Sequence, residues 1–197
     1  MPSHYPRTYG VGIVKNPYIL GNKTYLRALE KSDLTGNLYQ WANDLNVTYY
    51  MFMGTYPNTI ERIWEEYEPL LKSKNDVVMA VIDRHNDTHI GNVGLYSINW
   101  ISRSAEFRIV IGEKRYWSKG YGTEATRLTL IYGFDKLNLN KIWLGVNEQN
   151  LGAVRAYEKS GFSHEGVLRQ EIYRNGWYYN ALRMSILKEE YACTRSV

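Results

Sequence analysis

The sequence contains very little cysteine and no long apolar run. One cysteine, Cys193, stands among 197 residues; this excludes a disulfide framework or a cysteine-rich zinc site and is typical of a reducing compartment. No apolar run reaches the roughly 18–20 residues that a membrane helix needs. The first residues also lack the apolar stretch of a signal peptide. We therefore expect a cytoplasmic protein without a membrane partner and without a bound metal.

The chain also has only a small excess of positive over negative side chains. The chain has 24 Lys and Arg against 20 Asp and Glu, a net charge of +4. This excess is too small to indicate a nucleic-acid partner, although a phosphate-rich small ligand would need only a few of these cations. Aromatic residues, by contrast, make up 14%, with 18 Tyr and 6 Trp. Their polar tips suit a polar pocket or an interface, and core packing accounts for them equally well.

The length favours one domain, since domains hold roughly 100–200 residues. Hydrophobic patterning predicts strands first and then alternating helices and strands, which indicates one α/β domain with a mixed sheet. The first predicted helix is capped by Ser32 and the second by Asn58. The third predicted helix follows two glycines. The predicted boundaries are an N-terminal arm over residues 1–22, a folded domain over 23–190 and a C-terminal tail over 191–197.

A glycine loop lies between a predicted strand and a predicted helix. Gly120 and Gly122 would let the backbone approach a phosphate closely, and the free N–H groups of a helix start favour an anion. Nearby positive charge comes from Lys114, Arg115 and Lys119. Taken alone, the glycine pair is more typical of an ordinary helix cap. The segment lacks the spacing of a P-loop and of a dinucleotide-binding fingerprint.

A second motif lies about thirty residues further on. Asn150, Ala153, Tyr157, Gly161 and Phe162 follow the pattern Asn-x-x-Ala-x-x-x-Tyr-x-x-x-Gly-Phe. With the glycine loop, this chain resembles the GNAT superfamily of acyl-CoA-dependent N-acyltransferases over residues 24–187. It looks closest to the branch of spermidine and ribosomal-protein N-terminal acetyltransferases. In that family the loop reads (Gln/Arg)-x-x-Gly-x-(Gly/Ala), and this chain departs from it with Trp at position 117.

The resemblance implies a fold and a cosubstrate. The expected fold class is α/β (α+β), with a mixed, mostly antiparallel sheet of about seven strands and about four flanking helices. The expected cosubstrate is acetyl-CoA, and the expected reaction is acetyl transfer to an amine. The residues expected to bind the cosubstrate are Ile109, Val110, Ile111, Trp117, Ser118, Lys119, Gly120, Tyr121, Gly122, Thr123 and Asn150.

Acetyl transfer needs a proton donor for the departing thiolate, whose pKa is near ~8.5, and a base for the amine, whose pKa is near ~10.4. By resemblance, Tyr157 is the acid. Glu106 is a candidate base or, alternatively, an ion-pair partner of a nearby arginine, Arg103 or Arg108. His89 and His164 are further candidates. Because Cys193 lies beyond both motifs, we expect direct transfer without an acyl-enzyme.

The acceptor is the least determined part of the reaction. Residues 50–56 are apolar and aromatic without a carboxylate, whereas a polyamine calls for carboxylates. We therefore expect a small-molecule amine, with an amino sugar, free or nucleotide-linked, ahead of a polyamine. Candidate contacts for such a ring are Trp100, Tyr173, Trp177, Tyr178 and Tyr179, and Arg169 and Arg174 are candidate contacts for a phosphate. A protein N-terminus, a non-catalytic acyl-CoA binder and a nucleic-acid module remain alternatives. Exposed aromatics also predict a homo-oligomer, with a dimer as the expected form.

Overall fold

The computed structural model describes residues 16–194, and within them eight strands form one sheet. In chain order the strands are β1 (Ile19–Leu20), β2 (Thr24–Ala28), β3 (Val77–Asp83), β4 (Thr88–Asn99), β5 (Ser104–Ile111), β6 (Lys141–Asn147), β7 (Ser163–Arg174) and β8 (Trp177–Leu187). Across the sheet the order is β1-β2-β3-β4-β5-β6-β8-β7. Neighbours are antiparallel except β5 and β6, which run parallel. This confirms the predicted mixed, mostly antiparallel sheet, with the short β1 as an additional strand.

Helices cover both faces of this sheet. The α-helices are α1 (Lys31–Asp33), α2 (Tyr39–Ala42), α3 (Ile60–Lys72), α4 (Tyr121–Ile131), α5 (Leu151–Glu158) and α6 (Lys188–Thr194). Side chains alternate along each strand, so Tyr25 packs with Leu38 and Ile63 on one face, while Leu26 joins the cluster of α4 and α5 on the other. The sheet therefore separates two apolar cores.

The helical segment predicted to follow Ser32 is not one continuous α-helix. Leu34–Leu38 forms a π-helical turn between α1 and α2, and within it Gly36 adopts φ −96° and ψ −110°. A glycine tolerates this backbone conformation because it has no Cβ. The cap also differs from the expected Ser32, since Glu30 is the N-cap residue of α1 and its backbone N–H donates to the Asp33 carboxylate at 2.8 Å.

The second predicted cap, Asn58, is displaced by one residue. Thr59 caps α3 by accepting a hydrogen bond from the backbone N–H of Arg62 at 3.2 Å. The side chain of Asn58 is buried, and it donates to the carbonyls of Ala42, Met53 and Tyr56 at 2.9–3.0 Å. The buried Asn58 amide therefore holds the loop between α2 and α3 together by hydrogen bonds to its backbone.

The ends of the described chain carry regular structure. β1 lies within the predicted arm and α6 extends into the predicted tail, while residues 1–15 and 195–197 are outside the described residues. The domain boundaries themselves stay a prediction. None of the helices within residues 16–194 combines the length and the apolarity needed to cross a membrane.

Candidate active site

The two parallel strands at the centre of the sheet separate along their length. β5 and β6 pair only from Ser104 to Glu106, opposite Lys141 to Trp143. β5 stays paired with β4 as far as Ile111, and β6 stays paired with β8 as far as Asn147. A gap therefore opens beyond Glu106. There the edge of β5 that faces β6 has backbone N–H and C=O groups available to a ligand.

A cleft of about 500 Å³ lies at this gap. Most of the predicted site residues line it: Ile109, Val110, Ile111, Trp117, Ser118, Gly120, Gly122, Thr123, Asn150 and Tyr157. Lys119, Tyr121 and Glu106 lie outside this lining set. The cleft also has a wall formed by Tyr50 and Met51, from the loop segment used above to argue the acceptor, and by four residues that the sequence did not indicate: Asn46, Val47, Arg155 and Lys159. The loop residues match no motif, and only their place in the fold brings them to the cleft.

The glycine loop takes the backbone shape of a helix start open to a ligand. Ser118 has φ +57° and Gly120 has φ +86°, both in the left-handed region. Gly120 is the N-cap residue of α4, and no side chain caps the helix there. The first bond of the helix is the one from the N–H of Glu124 to the carbonyl of Gly120, at 3.0 Å. The first N–H groups of α4 thus lack intrahelical acceptors and favour an anion.

Trp117 stands where the related motif has Gln or Arg. Its ring N–H donates to the carbonyl of Ile111 at 2.6 Å, and the side chain is 40% exposed. The indole therefore joins the end of β5 to the start of the glycine loop. It carries no charge, so the loop lacks the cation that an arginine at this position would supply.

Tyr157 lies against two aromatic rings on the α5 side of the sheet. Its ring centroid is 6.0 Å from that of Phe107 and 5.9 Å from that of Phe162. Burial raises the pKa of Tyr157 to about 12. Within residues 16–194 no side chain or backbone group is hydrogen-bonded to the phenol, which leaves the hydroxyl proton available to a ligand. Two turns earlier, Asn150 caps α5 by accepting from the N–H of Ala153 at 3.2 Å.

Glu106 points to the opposite face from its neighbour Phe107. It is half-buried and accepts a hydrogen bond from Arg108 at 2.7 Å, and this bond raises the pKa of the guanidinium. Arg108 in turn lies over the ring of Tyr96, 4.8 Å from its centroid. The structure thus forms the ion pair that the sequence analysis gave as the alternative to a base.

The two candidate histidines lie away from the cleft. His89 is buried, with Nε2 2.8 Å from the side-chain oxygen of Asn92 and its ring 4.9 Å from that of Trp41. His164 is exposed and lies 3.0 Å from Glu158. Neither lines the cleft, and Cys193 is exposed on α6. Within residues 16–194 no three His, Cys, Asp or Glu side chains form a group that could hold a metal.

The aromatic residues proposed for a sugar ring also lie apart from the cleft lining. Tyr173, Trp177 and Tyr178 are exposed at the tip of the β7–β8 hairpin, and Trp100 donates to Asn75 on a distant loop at 3.0 Å. The guanidinium carbon of Arg174 lies over the ring of Phe52, 4.4 Å from its centroid. The expected aromatic lining for a sugar is therefore not formed in the cleft.

Comparisons with known proteins agree with this geometry. The family model described as "Acetyltransferase (GNAT) domain" matches residues 23–163. A spermidine N(1)-acetyltransferase of Escherichia coli (strain K12) is 37% identical over 166 residues, covering 84% of this chain and 87% of that protein. A crystal structure of spermidine N-acetyltransferase from Vibrio cholerae in complex with CoA and spermine superposes with a TM-score of 0.78. It is 35% identical and covers 86% of this chain and 98% of that one. A dodecameric structure of the Vibrio enzyme gives a TM-score of 0.74 at 35% identity, with 89% and 99% covered.

These relatives correct the expected acceptor. The amino sugar is wrong, because the relatives at this level of identity are spermidine acetyltransferases. That expectation rested on the absence of carboxylates from residues 50–56 alone. The family itself follows from the matched residues, the separated strands and the glycine loop: the chain belongs to the GNAT acetyltransferase family.

Proposed function

We propose that this protein transfers the acetyl group of acetyl-CoA to a primary amine of a polyamine of the spermidine class. The observation that carries the proposal is the cleft between the separated strands β5 and β6, which ends on the glycine loop and lies in the same fold as a relative solved with CoA and spermine.

The donor half of the site consists mainly of backbone groups. The N-terminus of α4 offers N–H groups to the diphosphate, and residues 107–111 of β5 offer an open edge to the pantetheine amides. A backbone N–H of this edge, aimed at the thioester carbonyl, would stabilise the negative charge that develops on the oxygen. Apolar side chains such as Ile109 and Ile111 suit this task because only the main chain takes part.

Tyr157 is the proposed general acid. A phenol with a pKa of about 12 stays protonated at neutral pH and can donate to the departing thiolate. Its neighbours Phe107 and Phe162 fix the ring without using the hydroxyl. The role of Glu106 as base stays a prediction, since the carboxylate would have to leave Arg108 or act through water; Glu106→Gln tests it by its kcat.

Turnover assays test the proposed function. Purified protein with acetyl-CoA is offered spermidine, spermine and a peptide with a ribosomal-protein N-terminus, and thiol release is followed. We expect turnover with the polyamines. Turnover of the peptide alone would point to a protein N-terminal acetyltransferase. Binding of CoA by calorimetry without turnover of any amine would point to a non-catalytic acyl-CoA binder.

We also propose that copies of this chain associate through the β7–β8 hairpin. β7 lies at the edge of the described sheet, and apolar side chains are exposed along the hairpin: Val167 (55%), Tyr173 (53%), Trp177 (70%) and Tyr178 (64%). The dodecameric Vibrio relative supports assembly beyond the dimer expected from the sequence. Light scattering of Trp177→Lys against the wild type tests this, and an unchanged mass would contradict it.

A further inference from the structure

The turn between β1 and β2 is bound to the first turn of α4 by one carboxylate. Glu124 accepts hydrogen bonds from the backbone N–H groups of Asn22 and Lys23 at 2.9 Å and of Thr24 at 2.7 Å. It also accepts from the hydroxyl of Thr24 at 2.8 Å. These four bonds place the turn beside the N-terminus of α4, which begins immediately after the glycine loop.

The other side of the same turn is also fixed. The backbone N–H of Arg84 donates to the carbonyl of Lys23, and its guanidinium donates to that of Gly21, both at 2.8 Å. A Cβ on Gly21 would come within 3.0 Å of the side chains of Glu124 and Leu128. The close approach of the turn to α4 therefore requires glycine, and contacts on both sides of the turn fix the backbone of Lys23.

This turn brings the Lys23 ammonium to the glycine loop. Its Nζ donates to the carbonyl of Lys119 at 2.8 Å and lies 5.7 Å from the ring centroid of Tyr121. It is 3.5 Å from the position that a Cβ on Gly120 would take. An ammonium has three donors, so two remain for a ligand after the bond to Lys119.

Lys23 adds a positive charge to the loop beside Lys119, while Arg155 and Lys159 supply charge at α5. Both oxygens of the Glu124 carboxylate accept hydrogen bonds from the β1–β2 turn and hold Lys23 near the α4 N-terminus. Trp117 supplies no charge at the motif position that has Gln or Arg, and its N–H is used on Ile111. We propose that Lys23 binds the diphosphate of coenzyme A and that Glu124 is the residue that positions it. This rests on the proposed function, because it assigns a residue to the same donor site.

Lys23→Met tests the proposal, because methionine keeps an apolar stem and removes the charge. Loss of a charge-assisted hydrogen bond to a phosphate should raise the KM for acetyl-CoA roughly tenfold with little change in kcat. Lys74→Met is the matched control, since Lys74 is an exposed lysine on the loop before β3. Its KM should equal that of the wild type.

Truncated donors separate a phosphate contact from a structural effect. With 3′-dephospho-acetyl-CoA, which keeps the diphosphate, the loss caused by Lys23→Met should persist. With S-acetyl-pantetheine, which lacks the diphosphate, the variant and the wild type should have equal kcat/KM. A loss that disappears with the dephospho donor would assign Lys23 to the 3′-phosphate and overturn the proposal. A loss that persists with S-acetyl-pantetheine, or no loss with acetyl-CoA, would also overturn it.

Direct binding distinguishes failure of this proposal from failure of the proposed function. Calorimetry of CoA with the wild type and Lys23→Met reads the contact even if no amine is acetylated. Glu124→Ala should weaken CoA binding in the wild type but add little to Lys23→Met, because both changes remove the same contact. Additive losses would mean that Glu124 does not act through Lys23, and this would overturn its positioning role.

Discussion

The ring of Tyr157 lies edge-on to the ring of Phe107, with centroids 6.0 Å apart and an interplanar angle of 84°. Phe107 is the first residue of β5 beyond the short pairing with β6. β5 therefore has two roles: its backbone edge faces the cleft, and its Phe107 side chain packs against the Tyr157 phenol beside that edge. Such a contact stabilises the ring orientation by about 0.5–1.5 kcal/mol beyond its buried area.

Tyr157→Phe should lower kcat roughly 10²- to 10³-fold and leave the KM for acetyl-CoA nearly unchanged. Phenylalanine keeps the packing with Phe107 and Phe162, so only the proton donor is lost. Steady-state kinetics with spermidine measure both constants. Tyr18→Phe, at a tyrosine 51% exposed, is the control and should match the wild type. Equal losses in turnover and in CoA affinity would contradict the acid role.

The raised pKa of Tyr157 predicts the basic side of the pH profile. A general acid works below its pKa, and burial moves that of Tyr157 from 10.0 to about 12. Turnover at saturating substrate should therefore not fall because of tyrosine ionisation as the pH rises through about 10. The check is ultraviolet difference titration of tyrosinate, wild type against Tyr157→Phe. A difference signal that titrates near pH 10 would contradict the shift.

The motif residues could be placed from the sequence because their positions depend on short-range spacing. Asn150 caps α5 and Tyr157 faces the strands two turns later, as a helix of 3.6 residues per turn requires. The positive φ of Gly120 likewise belongs to one local turn. The two motifs in their order also predicted the family and the mixed sheet.

Contacts between distant parts of the chain could not be predicted in this way. Lys23 reaches the glycine loop across 96 residues, to the carbonyl of Lys119. Asn58 has the pattern of a helix cap, yet burial against three loop carbonyls determines its role. In both cases the partner is set by how the elements pack, and neither composition nor periodicity carries that information.

His89 should make the folded protein less stable in mild acid. Burial lowers the pKa of His89 below 6.5, partly opposed by Asp33, whose carboxylate is 3.5 Å away. Below pH 6.5 the unfolded chain binds a proton that the folded protein resists, so the free energy of unfolding falls as the pH falls. Denaturant titrations between about pH 7 and pH 5 measure the free energy of unfolding. Its slope against pH should be smaller for His89→Gln than for the wild type.

The control for that measurement is His85→Gln, because His85 is exposed on the β3–β4 turn. It should keep the slope of the wild type. Equal slopes for all three proteins would show that His89 does not contribute to the pH dependence, whatever the absolute stability of each variant.

Gly112→Ala should destabilise the protein through one packing contact between the end of β5 and α2. A Cβ at Gly112 would overlap the ring of Trp41, which is buried and donates to Glu113 at 3.2 Å. Because the φ of Gly112 is not positive, the cost is one of packing, about 1–3 kcal/mol by comparison with other overpacked cores. Gly145→Ala is the control, since a Cβ there meets nothing within 4 Å and Gly145 lies in β6, outside the β7–β8 hairpin. Denaturant unfolding and near-ultraviolet circular dichroism should change for the first variant only; a wild-type stability for Gly112→Ala would mean that the ring of Trp41 moves at no cost.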